Sequence, residues 1–299
     1  RGENGKIVFK ATKDVTLEAG SSTTASGPTA GSISIQSDTG KVAIAGTVEA
    51  NGTQGKGGTI EVAGQQGVAV EPTARITANG TEGGRVTLTS TGGSVTVAAP
   101  VTADATVGRA GEIAVNAATT AALASTGQLS ASGGLGGGVV AVKGGSGVTL
   151  DVGSLVQATG ATGGSATVQS DQGTVVAQGT IDATATDGVG GSVQITALSD
   201  ITLDDSSRIL VRGRSGGVVK VRSSEGTLLA SGLINGQGNN GPGGQVWLLA
   251  PRVALIRESV VNVSGLTGGG TVLIGGDYHG DNPGVQNAWR TYFGPDAIV

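Results

Sequence analysis

Apolar side chains recur along this chain two residues apart, and the pairs come in sets of three. The first pair of a set reads Ile7/Phe9, Ile33/Ile35, Ile60/Val62, Val86/Leu88 and so on to Val272/Ile274. The second runs from Val15/Leu17 through Val95/Val97 to Val253/Leu255, and the third includes Val48/Ala50, Ile76/Ala78, Leu129/Ala131 and Val261/Val263. Only the first set is blurred, with Thr23/Ala25 in third place. Alternation with period two puts every other side chain on one face of an extended strand, whereas a helix needs apolar residues three and four apart. Each set predicts three short strands with one apolar face each.

A glycine stands two residues ahead of every first pair: Gly5, Gly31, Gly58, Gly84, Gly111, Gly138, Gly164, Gly191, Gly217, Gly244 and Gly270, at intervals of 26 or 27 residues. A fixed period of this size is the signature of a solenoid. The expected fold is all-β: a right-handed parallel β-helix with three short strands per coil and about ten coils of 26–27 residues. Strands pairing in parallel with their copies about 4.8 Å away would give a rod about 48 Å long.

Two kinds of coil alternate. In those starting at Gly31, Gly84, Gly164 and Gly217 the second and third pairs begin six residues apart; in the others they begin eight apart. The first kind carries Ser37-Asp38-Thr39-Gly40, Ser90-Thr91-Gly92-Gly93, Ser170-Asp171-Gln172-Gly173 and Ser223-Ser224-Glu225-Gly226, which suit tight turns whose glycine takes positive φ. The alternation gives a double repeat of 53 residues, broken once where the coils at Gly111 and Gly138 are both of the second kind. Stacked corners also leave little room for Cβ atoms.

Composition narrows the picture without changing it. With 57 glycines and 2% aromatics the chain cannot build a core of large side chains, but a thin repeated layer of Val, Ile, Leu and Ala is within reach. The glycine spacing is not three, which disfavours collagen, and the β-branched positions are too regular for a linker. A net charge of −4 gives no support for nucleic-acid binding. Absence of cysteine removes thiol catalysis, disulfides and thiolate metal sites, and suits export through an oxidising compartment. No apolar run approaches the ~20 residues that span a bilayer. The N-terminus reads as carrying no signal peptide, and the pattern as starting midway at Arg1 and stopping without a cap at Val299, so the chain is expected to be a piece of a longer one.

Candidate chemistry is sparse, and neither a catalytic residue nor a cofactor site is assigned. The single histidine, His279, sits in a Gly/Asp/Asn-rich segment without a nucleophile beside it, and reads as a turn residue. Asp277 and Asp281, with nearby carbonyls, raise the question of Ca²⁺, but no calcium-binding repeat accompanies them. Asp200, Asp204 and Asp205 read as a solvated corner rather than a lyase-type metal cluster. Arg208, Arg212, Arg214, Lys220 and Arg222 form the one basic concentration, expected to be neutralised by Glu225, Asp204 and Asp205, with contact to a sulfated glycan or anionic surface as the alternative. Gly133–Gly138 resembles a phosphate loop by composition only, lacking the Lys-Ser/Thr and the helix. Thr87/Thr89 does not repeat on successive coils, so no ice-binding array is expected. Arg85 and Glu112 each follow a marker glycine and should stand one above the other as a solvated pair.

The pattern fails near the end. Residues 1–274 read as a regular shaft, and 275–299 as an irregular excursion leading into a further, unfinished coil. Four of the six aromatics, Tyr278, Trp289, Tyr292 and Phe293, fall there. Nearby, Trp247, Leu249 and Leu273 occupy outward positions, and the excursion is expected to fold back over them; left uncovered they would form a contact patch. Trp247, Leu249, Leu273, Arg212, Lys220 and Arg222 are the candidates for surface contact.

The Gly-Gly-x-Val-x-Val units, the alternating coils, the segment Gly269-Gly270-Thr271-Val272-Leu273-Ile274-Gly275-Gly276-Asp277-Tyr278, and Asn287-Ala288-Trp289-Arg290-Thr291-Tyr292 together resemble the filamentous-haemagglutinin-type surface proteins of Gram-negative bacteria. The resemblance covers nearly the whole chain. It implies two-partner secretion through an outer-membrane pore and display at the bacterial cell surface as a β-helical fibre, with a glycan or cell-surface receptor as partner. The family's N-terminal secretion domain is not recognisable. The expectation is therefore a non-catalytic extracellular shaft. Its alternatives are a filament subunit whose end coils stack on neighbouring chains, and a polysaccharide-active enzyme on the same fold.

Overall fold

The computed structural model describes residues 5–299; residues 1–4, where the shaft was expected to begin, lie outside the described residues. Three long parallel sheets form the body. The first holds eleven strands from Lys6–Ala11 to Thr271–Ile274, the second eleven from Val15–Leu17 to Arg290–Phe293, and the third ten from Ser22–Thr24 to Val260–Asn262. Every neighbour in each sheet is the copy of that strand from the adjacent coil, so Ile60, Val86 and Ile113 stack in register, as do Val68, Val95 and Ala121. The chain is a β-solenoid with three strands per coil. Among the described residues the one helical turn is Tyr278–Gly280, and no helix is long and apolar enough to cross a membrane.

The inward columns are the apolar pairs. Ile33, Ile35, Val42, Ile44, Val48 and Ala50 of one coil are all at most 1% exposed, and the pattern repeats up the rod. Even the blurred Thr23 points inward, opposite Val48. Branched aliphatics suit this arrangement because each stacks on its copy across a parallel ladder and loses little rotamer freedom in a strand.

The marker glycines have a stacking role. The N–H of Gly84 donates to the carbonyl of Ala78 and that of Gly111 to Ala103, closing the base of the third corner; Gly31 to Gly270 repeat the bond. A Cβ on Gly31, Gly58, Gly84, Gly111 or Gly138 would overlap the carbonyl oxygen of the marker one coil below. The expectation of positive φ at Gly40, Gly93, Gly173 and Gly226 is not met: among the described residues positive-φ glycines are Gly20, Gly153, Gly275, Gly276 and Gly280. Those four turns are closed instead by serine. Ser37, Ser90, Ser170 and Ser223 are buried, and their hydroxyls accept the N–H of the glycine three residues on, at 2.9–3.1 Å. Glycine is needed there because a Cβ would strike the preceding coil, Asp14 at Gly40 and Gln66 at Gly93.

The two coil types are two ways of distributing one perimeter. Where the second corner is long it forms a β-turn, with Ala74 N donating to Glu71 O, Ser154 N to Asp151 O and Ser207 N to Asp204 O. Where it is tight the slack moves to the third corner, so Ala50 to Gly58 is longer than Ala78 to Gly84. The third-corner loops also stack, through bridges such as Gly80–Ala105 and Ala105–Gly133 and a small two-stranded sheet of Gly133–Gly136 with Gly160–Thr162.

A polar ladder runs along this corner. Asn51 N donates to Ser26 Oγ, Asn79 N to Asn51 Oδ1 and Asp104 N to Asn79 Oδ1, each at 2.8 Å, and Ser132 N to Asp104 Oδ1 at 2.7 Å. Further on, the equivalent N–H groups of Thr184, Gln237 and Ser264 are met within their own coil by Asp182, Asn235 and Asn262.

Candidate functional site

The outer face of the first sheet near its C-terminal end gathers most of the contact candidates. Gln194, Lys220, Trp247 and Leu273 are register partners in one outward column, and Thr196, Arg222 and Leu249 form the next. Lys220 Nζ lies 4.2 Å from the Trp247 ring centroid, a cation–π arrangement that half-buries the indole. Residues 275–289 leave the coil, cross the second column and return. Val285, 5% exposed, is the buried apolar residue of this crossing. Gln286 anchors it: Arg222 Nε donates to Gln286 Oε1 at 2.9 Å, and Gln286 Nε2 donates to Ser224 O at 3.3 Å. Leu249 is thereby 5% exposed, covered by the excursion as the fold-back expectation has it and so not available as a surface contact. A hollow of about 220 Å³ remains between Lys220, Trp247, Arg222 and Gln286.

The covering segment works differently from its composition. Its aromatics point away from the strip: Tyr278 is 85% and Trp289 82% exposed. Gly275, Gly276, Gly280 and His279 all take positive φ, so the segment reverses sharply rather than extending as a strand. His279 packs its ring against Tyr278, centroids 3.9 Å apart, on an exposed turn. Asp277 Oδ1 is buried without a hydrogen-bond partner while Asp281 is exposed, and no group of three His, Cys, Asp or Glu side chains converges among the described residues.

The other candidates separate. The basic residues are not neutralised by the acids near them in sequence: Asp205 pairs instead with Arg257, at 2.6 Å, two coils away. Arg212 stands apart from Lys220 and Arg222, on the third corner, with its Nε buried and unpartnered. The acidic trio has structural partners. Asp200 Oδ1 accepts the N–H of Thr227 at 2.7 Å, and Asp204 accepts the N–H of Ser206 and the amide of Gln178, both at 3.2 Å. Those bonds, that from Ser206 foremost, hold the Asp204 carboxyl below its ordinary value. Charges of both signs line a hollow at the second corner near the C-terminal end, where Asp205, Arg208, Arg257, Glu258 and Asp296 surround about 600 Å³, and another of about 440 Å³ between Lys56, Glu82, Arg85, Arg109 and Glu112. Arg85 and Glu112 pair across adjacent coils as expected, on a half-exposed face.

Sequence reasoning missed the third-corner ladder. Its signal was a polar residue directly after the third pair of these coils: Ser26, Asn51, Asn79, Asp104, Ser132, Thr159. Burial raises the Asp104 carboxyl above its ordinary value, against the lowering effect of the Ser132 N–H and the Ser130 hydroxyl. Compared with family models, curated proteins and solved structures, the chain finds no match.

Proposed function

We propose that this chain is the non-catalytic shaft of a secreted, cell-surface fibre of adhesin type. The observation that carries the reading is the unbroken register of three sheets along the described rod, with each coil depending on its neighbours. Such a stack is quasi-one-dimensional: it sets distance and stiffness, and its length can grow by adding coils. Polar groups fit the same reading, because the carboxylates of Asp104 and Asp204 are engaged in corner hydrogen bonds. Stepwise coil-on-coil folding also suits export of an unfolded chain, as the resemblance to filamentous-haemagglutinin-type proteins implies.

Electron microscopy of the isolated chain should show straight rods about 50 Å long, and surface proteolysis of intact producing cells should remove it. Globular particles, or a chain protected inside the cell, would overturn the proposal. Turnover of a polysaccharide by the purified rod would establish the enzymatic alternative. A filament subunit is a second reading, favoured by the half-buried inward residues Ile7, Phe9, Val272 and Ile274 on the outermost strands of the first sheet. Rods that lengthen with concentration would support it.

A further inference from the structure

We infer that Trp289, Arg252 and Arg290 form a binding site for an acidic sugar, a pyranose ring carrying a carboxylate. The three residues line a concavity of about 300 Å³ on the outer face of the second sheet. Arg252 and Arg290 are register partners on adjacent strands, which places like charges directly opposite each other about 4.8 Å apart along the ladder. Neither forms an ion pair among the described residues. Arg85, by contrast, has a carboxylate as its register partner, Glu112, and pairs with it. An anionic group held between the two guanidinium forks would supply the missing partner.

Trp289 gives the site its second requirement. Its indole is 82% exposed although its backbone is fixed, the N–H donating to Pro251 O at 2.7 Å. A rigidly mounted, solvent-facing aromatic face is an apolar platform for a ring. Arg252 is itself oriented, its Nε donating to Thr227 Oγ1 at 3.2 Å. One aromatic face beside one paired-guanidinium position fits a single ring with a single charge. A nucleic acid would call for a series of stacking residues and an overall basic chain, whereas this one carries −4. The site stands apart from the Lys220–Trp247 hollow and does not depend on the fibre reading.

Titration calorimetry of the chain with trigalacturonate, with the neutral galactose trisaccharide and with a thymidine decamer tests it. Trigalacturonate should bind saturably in the millimolar range. Trp289→Ala and Arg290→Gln should each weaken it by on the order of tenfold, Trp289→Phe should retain most of it, and all three variants should keep the wild-type unfolding midpoint. Absence of trigalacturonate binding overturns the site. So do equal binding of the neutral sugar, undiminished binding by Trp289→Ala or Arg290→Gln, and tighter binding of the decamer, which would make the surface one for nucleic acid.

Discussion

The carbonyl oxygen of Gly84 occupies the space in which a side chain on Gly111 would begin. Each marker glycine lies over the one below, and the N–H of the residue that follows it donates down to that same carbonyl, as Glu112 N does to Gly84 O at 3.0 Å. Close approach of two backbones, rather than an unusual dihedral angle, explains why the glycine returns every coil.

Gly111→Ala should therefore destabilise the rod by about 1–3 kcal/mol or more, the scale of overpacking. Gly268→Ala, where a Cβ meets nothing within 4 Å, should be nearly neutral. Urea unfolding would measure both. Because coupling runs only between neighbours, the Gly111 variant should also split a single transition into two.

Ser223 is fully buried and bonds twice, accepting Gly226 N–H at 2.9 Å and donating to Ser199 O at 2.6 Å. Replacement by Ala leaves a donor and an acceptor of the packed corner without partners. A loss of about 1–3 kcal/mol is expected, measured by thermal or chemical unfolding. Ser206→Ala, at a half-buried corner position, should cost less.

Two aspartates should respond to pH in opposite senses. The folded state raises Asp104, so its stabilising contribution is present below the ordinary carboxylate value of 3.8 and is lost as pH rises through the folded value. Asp104→Asn, matching Asn51 and Asn79 on the same ladder, should stabilise the rod at neutral pH, and the gap should close as pH falls below about 4. Asp204 is lowered, so its contribution is present above the ordinary value and lost as pH falls through the folded one. Asp204→Ala should destabilise at neutral pH and cost nothing in acid. Denaturation midpoints across that range would read both.

Arg85 and Glu112 are half exposed. A double-mutant cycle should give at most about 1 kcal/mol of coupling, shrinking further at high salt. Coupling well above that would mean the face is shielded from solvent.

Val285 and Gln286 hold the excursion down on Leu249 and Arg222. Val285→Asp with Gln286→Ala should release residues 276–288, detected as faster limited proteolysis within that segment. The melting midpoint of the coils before Gly244 should not move, since the segment lies outside their ladders.

Much of this molecule was legible in its residues. Period-two alternation within a fixed repeat marks both the strands and their inward faces, because one side of every strand must leave water, and Ile33 to Val261 are buried as the pairing implies. Local chemistry around corners was harder. Ser37 and Gly40 suggested a left-handed turn, but whether a glycine serves its own φ or a neighbour's carbonyl depends on the coil beneath, some 27 residues away. The contact candidates show the same limit: Trp247 and Leu249 were rightly placed outward, yet Leu249 is buried by a segment whose path no periodicity describes.

Sequence by itself determined the coil, its three strands and the order of stacking, since these follow from a repeated apolar pattern acting between adjacent copies. Tertiary structure alone decided which side chains meet across coils. Asp205 reaches Arg257 rather than a nearer cation, Asp104 joins a half-buried ladder, and Arg252 faces Arg290 without a carboxylate. Such contacts depend on where each coil places its corners, because the corner loops change length from coil to coil while the strands keep their register.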